Sequence, residues 1–172
     1  MELYLGLGSN EGCREEHIET AIVALENAFD APCLRTSSLV ETKAWGFESA
    51  KDFLNSVVVF DVDLERFRKE YAPAEDNLDM EQTAGLILRI CKSVEKMCGR
   101  RRNSYIDENG RKIYQDRPMD VDILFMGTEE IDNEELTIPH IEMNIRDFVM
   151  IPLREVVSGE IKTKFPDIFE TE

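Results

Sequence analysis

The chain has 172 residues, of which 42 % are hydrophobic and 33 % charged, and a formal net charge of −16. That length suits one domain over residues 1–172 with one sizeable core, and so acidic a surface repels DNA, RNA and anionic membranes. No stretch reaches the roughly 18 apolar residues that a membrane span needs, and the start of the chain turns polar after Leu7 with no basic leader, so a cytoplasmic protein is expected.

Leu3 to Leu7 reads as a short strand that ends at Gly8. From Arg14 to Phe29, the apolar residues Ile18, Ala21, Ile22, Leu25 and Phe29 form the stripe of an amphipathic helix. Residues 34 to 43 read as a strand, as does the β-branched and aromatic run from Phe53 to Val62. Asp63 is placed to cap a short helix carrying Leu64, Phe67 and Tyr71. Asp79 with Gln82 forms a capping box, and Met80, Ala84, Ile87, Cys91, Val94 and Cys98 mark a long helix that Gly99 can end. Cys91 and Cys98 share its apolar face and read as small buried hydrophobes.

Residues 100 to 118 lack apolar periodicity and contain Asn109-Gly110, which predicts a mobile loop with a small hairpin. Met119 to Met126 is a further strand, and residues 146 to 157 are expected to add one more. The order strand, helix, strand, strand, helix, strand is that of an α+β, ferredoxin-like βαββαβ unit with an antiparallel sheet and an extra C-terminal strand. Such a fold carries no chemistry by itself.

Charge is distributed unevenly. Between Lys96 and Arg117 there are seven basic and three acidic residues, so that segment carries +4 and the remainder −20. A basic stretch on an acidic protein points to a small polyanionic ligand. Within it, Gly99-Arg100-Arg101-Arg102 and Arg117 offer guanidinium groups, which grip phosphate bidentately and stay charged at neutral pH. Complementing the helix dipole is the alternative, but a single arginine would meet that need.

Asp120 and Asp122 alternate on a predicted strand, so both point to one face, ~6–7 Å apart, while Val121 and Ile123 point to the core. Paired hard oxygen ligands suit Mg²⁺, which takes its other ligands from water and phosphate. A solvated strand face is the competing explanation. Asp61 and Asp63 have the same spacing but end a strand and cap a helix, a structural role. Phe53 and Asn55 share a strand face on which a ring and an amide could meet a flat heterocycle; in isolation, core packing explains Phe53 better. Gly8-Ser9-Asn10 and Pro139-His140 are weak signals alone, and two histidines are too few for a histidine-based metal site.

In this order the pieces resemble the 6-hydroxymethyl-7,8-dihydropterin pyrophosphokinase family. The matching segments are Tyr4-Leu5-Gly6-Leu7-Gly8-Ser9-Asn10, Ser37-Ser38 with Glu41-Thr42, Asp52-Phe53-Leu54-Asn55, Gly99-Arg100-x-Arg102, and Arg117-Pro118-Met119-Asp120-Val121-Asp122-Ile123-Leu124. Pro139-His140 with Arg146 and Phe148, and Ile151-Pro152-Leu153, complete the match over about residues 3 to 157.

The resemblance implies transfer of pyrophosphate from ATP to the hydroxymethyl group of 6-hydroxymethyl-7,8-dihydropterin, a step of folate biosynthesis, by a monomer or weak homodimer. By the same resemblance Asp120 and Asp122 hold two Mg²⁺ ions, and Arg100 and Arg117 are the catalytic arginines. Glu95, Arg102, Thr137, His140 and Arg146 contact the nucleotide. Phe53 and Phe148 sandwich the pterin, with Asn55, Thr42 and Trp45 at its polar edge. The chain departs from the family pattern at Lys43-Ala44-Trp45-Gly46, at Tyr114-Gln115-Asp116 and at Ile141. Another Mg²⁺-dependent nucleotidyl or phosphoryl transferase is the rival enzyme, and a nucleotide-holding domain without turnover the rival binder.

Overall fold

The computed structural model describes residues 1–75, 77–101, 105–106, 112–113 and 115–170. In chain order the first elements are β1 (Glu2–Ser9), α1 (Arg14–Phe29), β2 (Cys33–Thr36), β3 (Val40–Thr42), β4 (Phe53–Asp61), α2 (Leu64–Tyr71) and α3 (Met80–Met97). Then follow β5 (Tyr105–Ile106), β6 (Lys112–Ile113), β7 (Asp120–Met126), β8 (Ile131–Asp132), β9 (Thr137–Ile138), α4 (Asp147–Val156), α5 (Gly159–Lys164) and α6 (Pro166–Phe169).

The main sheet runs β2-β4-β1-β7, with β3 also on β4, and its pairings are all antiparallel. The apolar-rich runs of β4 and β1 occupy its centre, and β7, at the edge beside β1, is equally apolar, because both faces there are covered over much of their length. On one face Leu3, Leu5, Leu7, Val58, Phe60, Val121 and Ile123 pack against Ile18, Ala21 and Leu25 of α1 and Ile87, Cys91 and Val94 of α3. The α3 start is fixed by the expected box: Asp79 accepts from the Gln82 N–H at 2.8 Å, and Gln82 Oε1 accepts from the Asp79 N–H at 2.9 Å. At the other end Gly99 takes φ +94°, the left-handed step that lets the chain leave the helix. Asp63 caps α2 as expected, accepting from the Glu65 and Arg66 N–H groups.

The segment from 34 to 43 is two strands rather than one. Between the paired residues Thr36 and Val40 three residues face two on β4, so the chain bulges. Ser37 spans the gap by accepting from the Val57 N–H at 2.9 Å, while Ser38 turns outward to Glu155.

Residues 146 to 157 are not a strand. They form α4, whose buried Val149, Met150, Leu153 and Val156 follow the helical repeat. The β-branched content of Val149 and Ile151 and the internal Pro152 mask that repeat in the sequence. With α5 and α6, α4 covers half of the second sheet face, packing on Tyr4, Val57, Val59 and Phe125. Phe165 and Phe169 lie 5.5 and 6.3 Å from the Phe125 ring. The Tyr4 hydroxyl accepts from the Ser158 N–H at 3.1 Å, and Arg35 reaches the Val156 carbonyl at 2.9 Å, tying this helical layer to β1 and β2. The other half of that face is left open.

Residues 105–106 pair with 112–113 as a small antiparallel ladder, in keeping with the expected hairpin; residues 102–104, 107–111 and 114 of the expected loop lie outside the described residues. Among the described residues no helix is long and apolar enough to cross a membrane.

Because Phe165 and Phe169 pack on Phe125 and do not line the open half of the face, the packing of the C-terminus can be weakened there without touching the open half. Phe165→Ala is expected to lower unfolding free energy by about 1–2 kcal/mol, the share of a phenylalanine that is half buried. Urea unfolding checks the loss, and turnover per folded molecule should match the parent chain.

Candidate active site

The open half of the sheet is floored by its own register. Gly8 on β1 stands opposite Asn55 on β4 and Asp120 on β7, and Gly6 stands opposite Val57 and Asp122. Directly opposed residues in an antiparallel sheet share a face, so Asn55, Gly8 and Asp120 form a row. A Cβ at Gly8 would lie 3.3 Å from Asn55 Oδ1 and 4.0 Å from Asp120 Cβ. Glycine at this position therefore keeps the floor low between the amide and the carboxylate.

Above this floor lies a cleft of about 470 Å³. Thr42, Trp45, Phe53 and Asn55 line it from β3, β4 and the loop between them. Glu95, Arg100, Arg117, Asp120 and Asp122 line it from α3 and around β7, and Thr137, His140, Arg146 and Phe148 from β9 to the start of α4. Thirteen of the fourteen expected site residues thus meet in one space; the fourteenth, Arg102, lies outside the described residues.

At its charged end Asp120 Oδ1 accepts from Arg100 Nη1 at 2.6 Å, and Oδ2 accepts from Arg117 Nη2 at 2.8 Å. Arg100 also pairs with Glu95 at 2.8 Å, and Glu95, only 3 % exposed, accepts from the Val121 N–H at 3.0 Å. Burial opposes ionisation of Asp120, but Arg117 and Arg100 outweigh it and hold the carboxyl below the ordinary range. Asp122 is pushed the other way, by burial and then by the Asp120 charge beside it. Glu95 is also raised, by burial and then by Asp120, against the pull of Arg100.

A site with one satisfied carboxylate and one frustrated neighbour has the donor chemistry for a divalent cation, whose charge would relieve Asp122. Among the described residues no three His, Cys, Asp or Glu side chains are grouped to hold a metal alone. A cation here would complete its shell from phosphate oxygens and water.

At the other end are the flat surfaces. Phe53 is buried with Phe47 edge-on at 6.2 Å, and the Arg117 guanidinium lies 5.0 Å from its ring centre. The Asn55 amide donates to the Val40 carbonyl at 3.1 Å and to Thr42 Oγ1 at 2.9 Å, which fixes its plane. The Arg146 guanidinium stacks 4.4 Å over Trp45 and 5.8 Å from Phe148, and it pairs with Glu142. Arg146 Nε is buried with no hydrogen-bond partner among the described residues. The His140 N–H donates to the Leu124 carbonyl at 3.1 Å, and Thr137 Oγ1 donates to Asp132 at 3.0 Å.

This geometry unites two carboxylates, two arginines, a fixed amide and aromatic planes in the order along the chain that sequence reading associates with one family. Residues 4–158 match the model of 7,8-dihydro-6-hydroxymethylpterin-pyrophosphokinase. The chain belongs to that family. It is 36 % identical over 155 residues to the 2-amino-4-hydroxy-6-hydroxymethyldihydropteridine pyrophosphokinase of Porphyromonas gingivalis, covering 90 % of this chain and 89 % of that one. The enzyme of the same name from Aquifex aeolicus is 35 % identical over 154 residues, covering 90 % of this chain and 79 % of that one. A folate synthesis bifunctional protein of Arabidopsis thaliana is 30 % identical over 159 residues, which cover 92 % of this chain and 28 % of that longer one. The family is one of ATP-dependent pyrophosphokinases acting on hydroxymethyldihydropterin in folate biosynthesis, and this chain is such an enzyme.

Sequence reading missed Phe47 and Lys92, which also line the cleft. Lys92 stands one turn before Glu95 on α3, a spacing that would have brought it to the same face. Phe47 follows Gly46 in a segment without periodicity, so nothing local signalled it.

The opposed shifts of the two aspartates predict opposite effects of neutralising them. Asp120 binds protons more weakly folded than unfolded, so its stabilisation is present above the ordinary aspartate value of about 3.9 and is lost as pH falls through the lower folded value. In chelator at pH ~7, Asp120→Asn should therefore cost roughly 1–3 kcal/mol through weakened charge-assisted bonds, with the difference closing below pH ~4. Asp122 behaves oppositely: its raised value means the charged form is disfavoured by folding, so Asp122→Asn should be no less stable than the parent chain in chelator. Urea titrations across pH compare the two variants.

Proposed function

We propose that the family's reaction runs in this cleft, with the pterin on the Phe53 side and the nucleotide phosphates over Asp120 and Asp122. The observation that carries the proposal is the row of Asn55, Gly8 and Asp120 across three strands, which puts an amide suited to a heterocycle and a carboxylate suited to metal-bound phosphate on one floor. Phe53 and Phe148 would sandwich the pterin ring, while the Asn55 amide, held by Thr42 and Val40, and the backbone near Thr42 and Trp45 meet its polar edge. Glu95, Arg102, Thr137, His140 and Arg146 would hold the nucleotide; the buried, unpartnered Arg146 Nε is a donor ready for it.

Asp120 and Asp122 would hold two Mg²⁺ ions, which would neutralise charge on the phosphates. Arg100 and Arg117 now neutralise Asp120; with cations in place of that role, their guanidinium groups are available to the phosphates. The hydroxymethyl oxygen forms a bond to the β-phosphorus as the bond from that phosphorus to the α–β oxygen breaks, AMP leaves with that oxygen, and the hydroxyl proton is released with the products. Keeping water out favours transfer over ATP hydrolysis, and the segment between Arg102 and Arg117 is proposed as the cover. The strand order β2-β4-β1-β7 with α1 and α3 on one face supports a ferredoxin-like description of the fold.

Incubation with ATP, Mg²⁺ and 6-hydroxymethyl-7,8-dihydropterin should yield AMP only when the pterin is present. Asp122→Ala and Arg117→Ala should each lower kcat by about 10²–10³-fold with unchanged circular dichroism. ADP as product would point to an ordinary kinase, and full turnover by both variants would refute the assignment of these residues.

A further inference from the structure

Asp116 stands one residue before Arg117, and its side chain gathers three partners from two other segments. Its Oδ1 accepts from Asn10 Nδ2 at 2.7 Å and from Ser49 Oγ at 2.6 Å, and its Oδ2 faces Lys51 Nζ at 3.5 Å. Asn10 follows β1, while Ser49 and Lys51 belong to the loop between β3 and β4. Asn10 then grips the next residue through both of its backbone groups: the Arg117 N–H donates to Asn10 Oδ1 at 2.8 Å, and the Asn10 N–H donates to the Arg117 carbonyl at 3.1 Å. Ser49 Oγ in turn accepts from the Lys51 N–H at 3.0 Å, and Lys51 also faces Glu11 at 3.4 Å. Asn10, Ser49, Lys51 and Asp116 do not line the cleft, whereas the segments they fasten do: Arg117 on one side, Trp45 and Phe47 on the other.

We propose that Asp116 is a positioning residue that locks the β3–β4 loop to the backbone of Arg117, so that the aromatic wall of the pterin side and the catalytic guanidinium are held as one unit. This rests on the active-site reading given above. Arg117 is fixed by its own backbone bonds to Asn10 and by the carboxylate in front of it. Its side chain spans from there to Asp120 and the Phe53 ring, so a shift at residue 116 displaces the guanidinium directly. Burial works against the Asp116 charge, but Ser49, Asn10 and Lys51 outweigh it and keep the carboxyl below the ordinary range, so the lock stays closed at neutral pH.

The chain has a single tryptophan, Trp45, and it lies in the fastened loop, so the lock has an optical readout independent of turnover. Asp116→Ala should make Trp45 emission of the free protein more readily quenched by acrylamide. It should lower kcat by about 10–100-fold and raise KM for the pterin, with KM for ATP within about twofold of the parent chain. Ser49→Ala should shift the same quantities in the same direction but less, and the double variant should be no worse than Asp116→Ala alone, since both cut one connection. Asp116→Asn, which keeps an acceptor for Ser49 and Asn10, should recover most of the lost kcat and serves as the test if the alanine variant does not fold. Unchanged Trp45 quenching together with an unchanged kcat in Asp116→Ala, or strictly additive losses in the double variant, overturns the proposal. Arg117→Ala is run alongside: if it turns over normally the active-site reading fails, while the quenching comparison still decides the lock.

Discussion

The charge on Asp120 is the centre from which the site is built. It is drawn from water onto a sheet and is kept there by Arg100 at 2.6 Å and Arg117 at 2.8 Å. Those two arginines come from opposite ends of the basic segment, so the carboxylate gathers both ends of that segment onto β7. Asp122, two residues along the same face, is compensated less: burial and the Asp120 charge outweigh the pull of His140, Arg146 and Arg117 and push it toward its neutral form. The protein alone thus holds an unbalanced pair, and a divalent cation bound there would relieve Asp122.

The remaining architecture follows from the need to expose that pair on a well-packed sheet. Burial of β1, β4 and β7 against α1 and α3 fixes the strands, and α4 to α6 cover only part of the opposite face. Glycine at positions 6 and 8 leaves the uncovered part flat enough for a ligand to reach the side chains on either side. The same sheet therefore serves as core on one face and as packing surface and cleft floor on the other.

Much of this was legible in the residues. The stripe from Ile18 to Phe29 gave α1 its observed limits, and Asp79 with Gln82 marked the start of α3, because both signals are local and repeat with the helical period. Alternation put Asp120 and Asp122 on one face, and the helix-capping role of Asp63 separated that pair from its look-alike. What was not legible depends on partners distant in sequence. Residues 147 to 156 carry β-branched side chains and a proline, yet they are helical because a helix presents Val149, Met150, Leu153 and Val156 together to Tyr4 and Val57. The break between β2 and β3 reflects Ser37 bonding to Val57 and Ser38 to Glu155, neither of which a window of neighbouring residues contains. The ties from Asn10 and Ser49 to Asp116 span 106 and 67 residues, so their meaning emerges only once the chain is folded.

The pairing of Gly8 with both Asn55 and Asp120 also bears on how faithfully the chain must fold. Side chains alternate along a strand, so a slip of β1 by a single residue would present Leu7 or Ser9 where Gly8 belongs and would turn the leucines of the core outward. Such a misaligned molecule would lose its oily interior and the floor of its cleft in the same stroke. One set of ladder bonds therefore fixes both the packed core and the row of Asn55, Gly8 and Asp120.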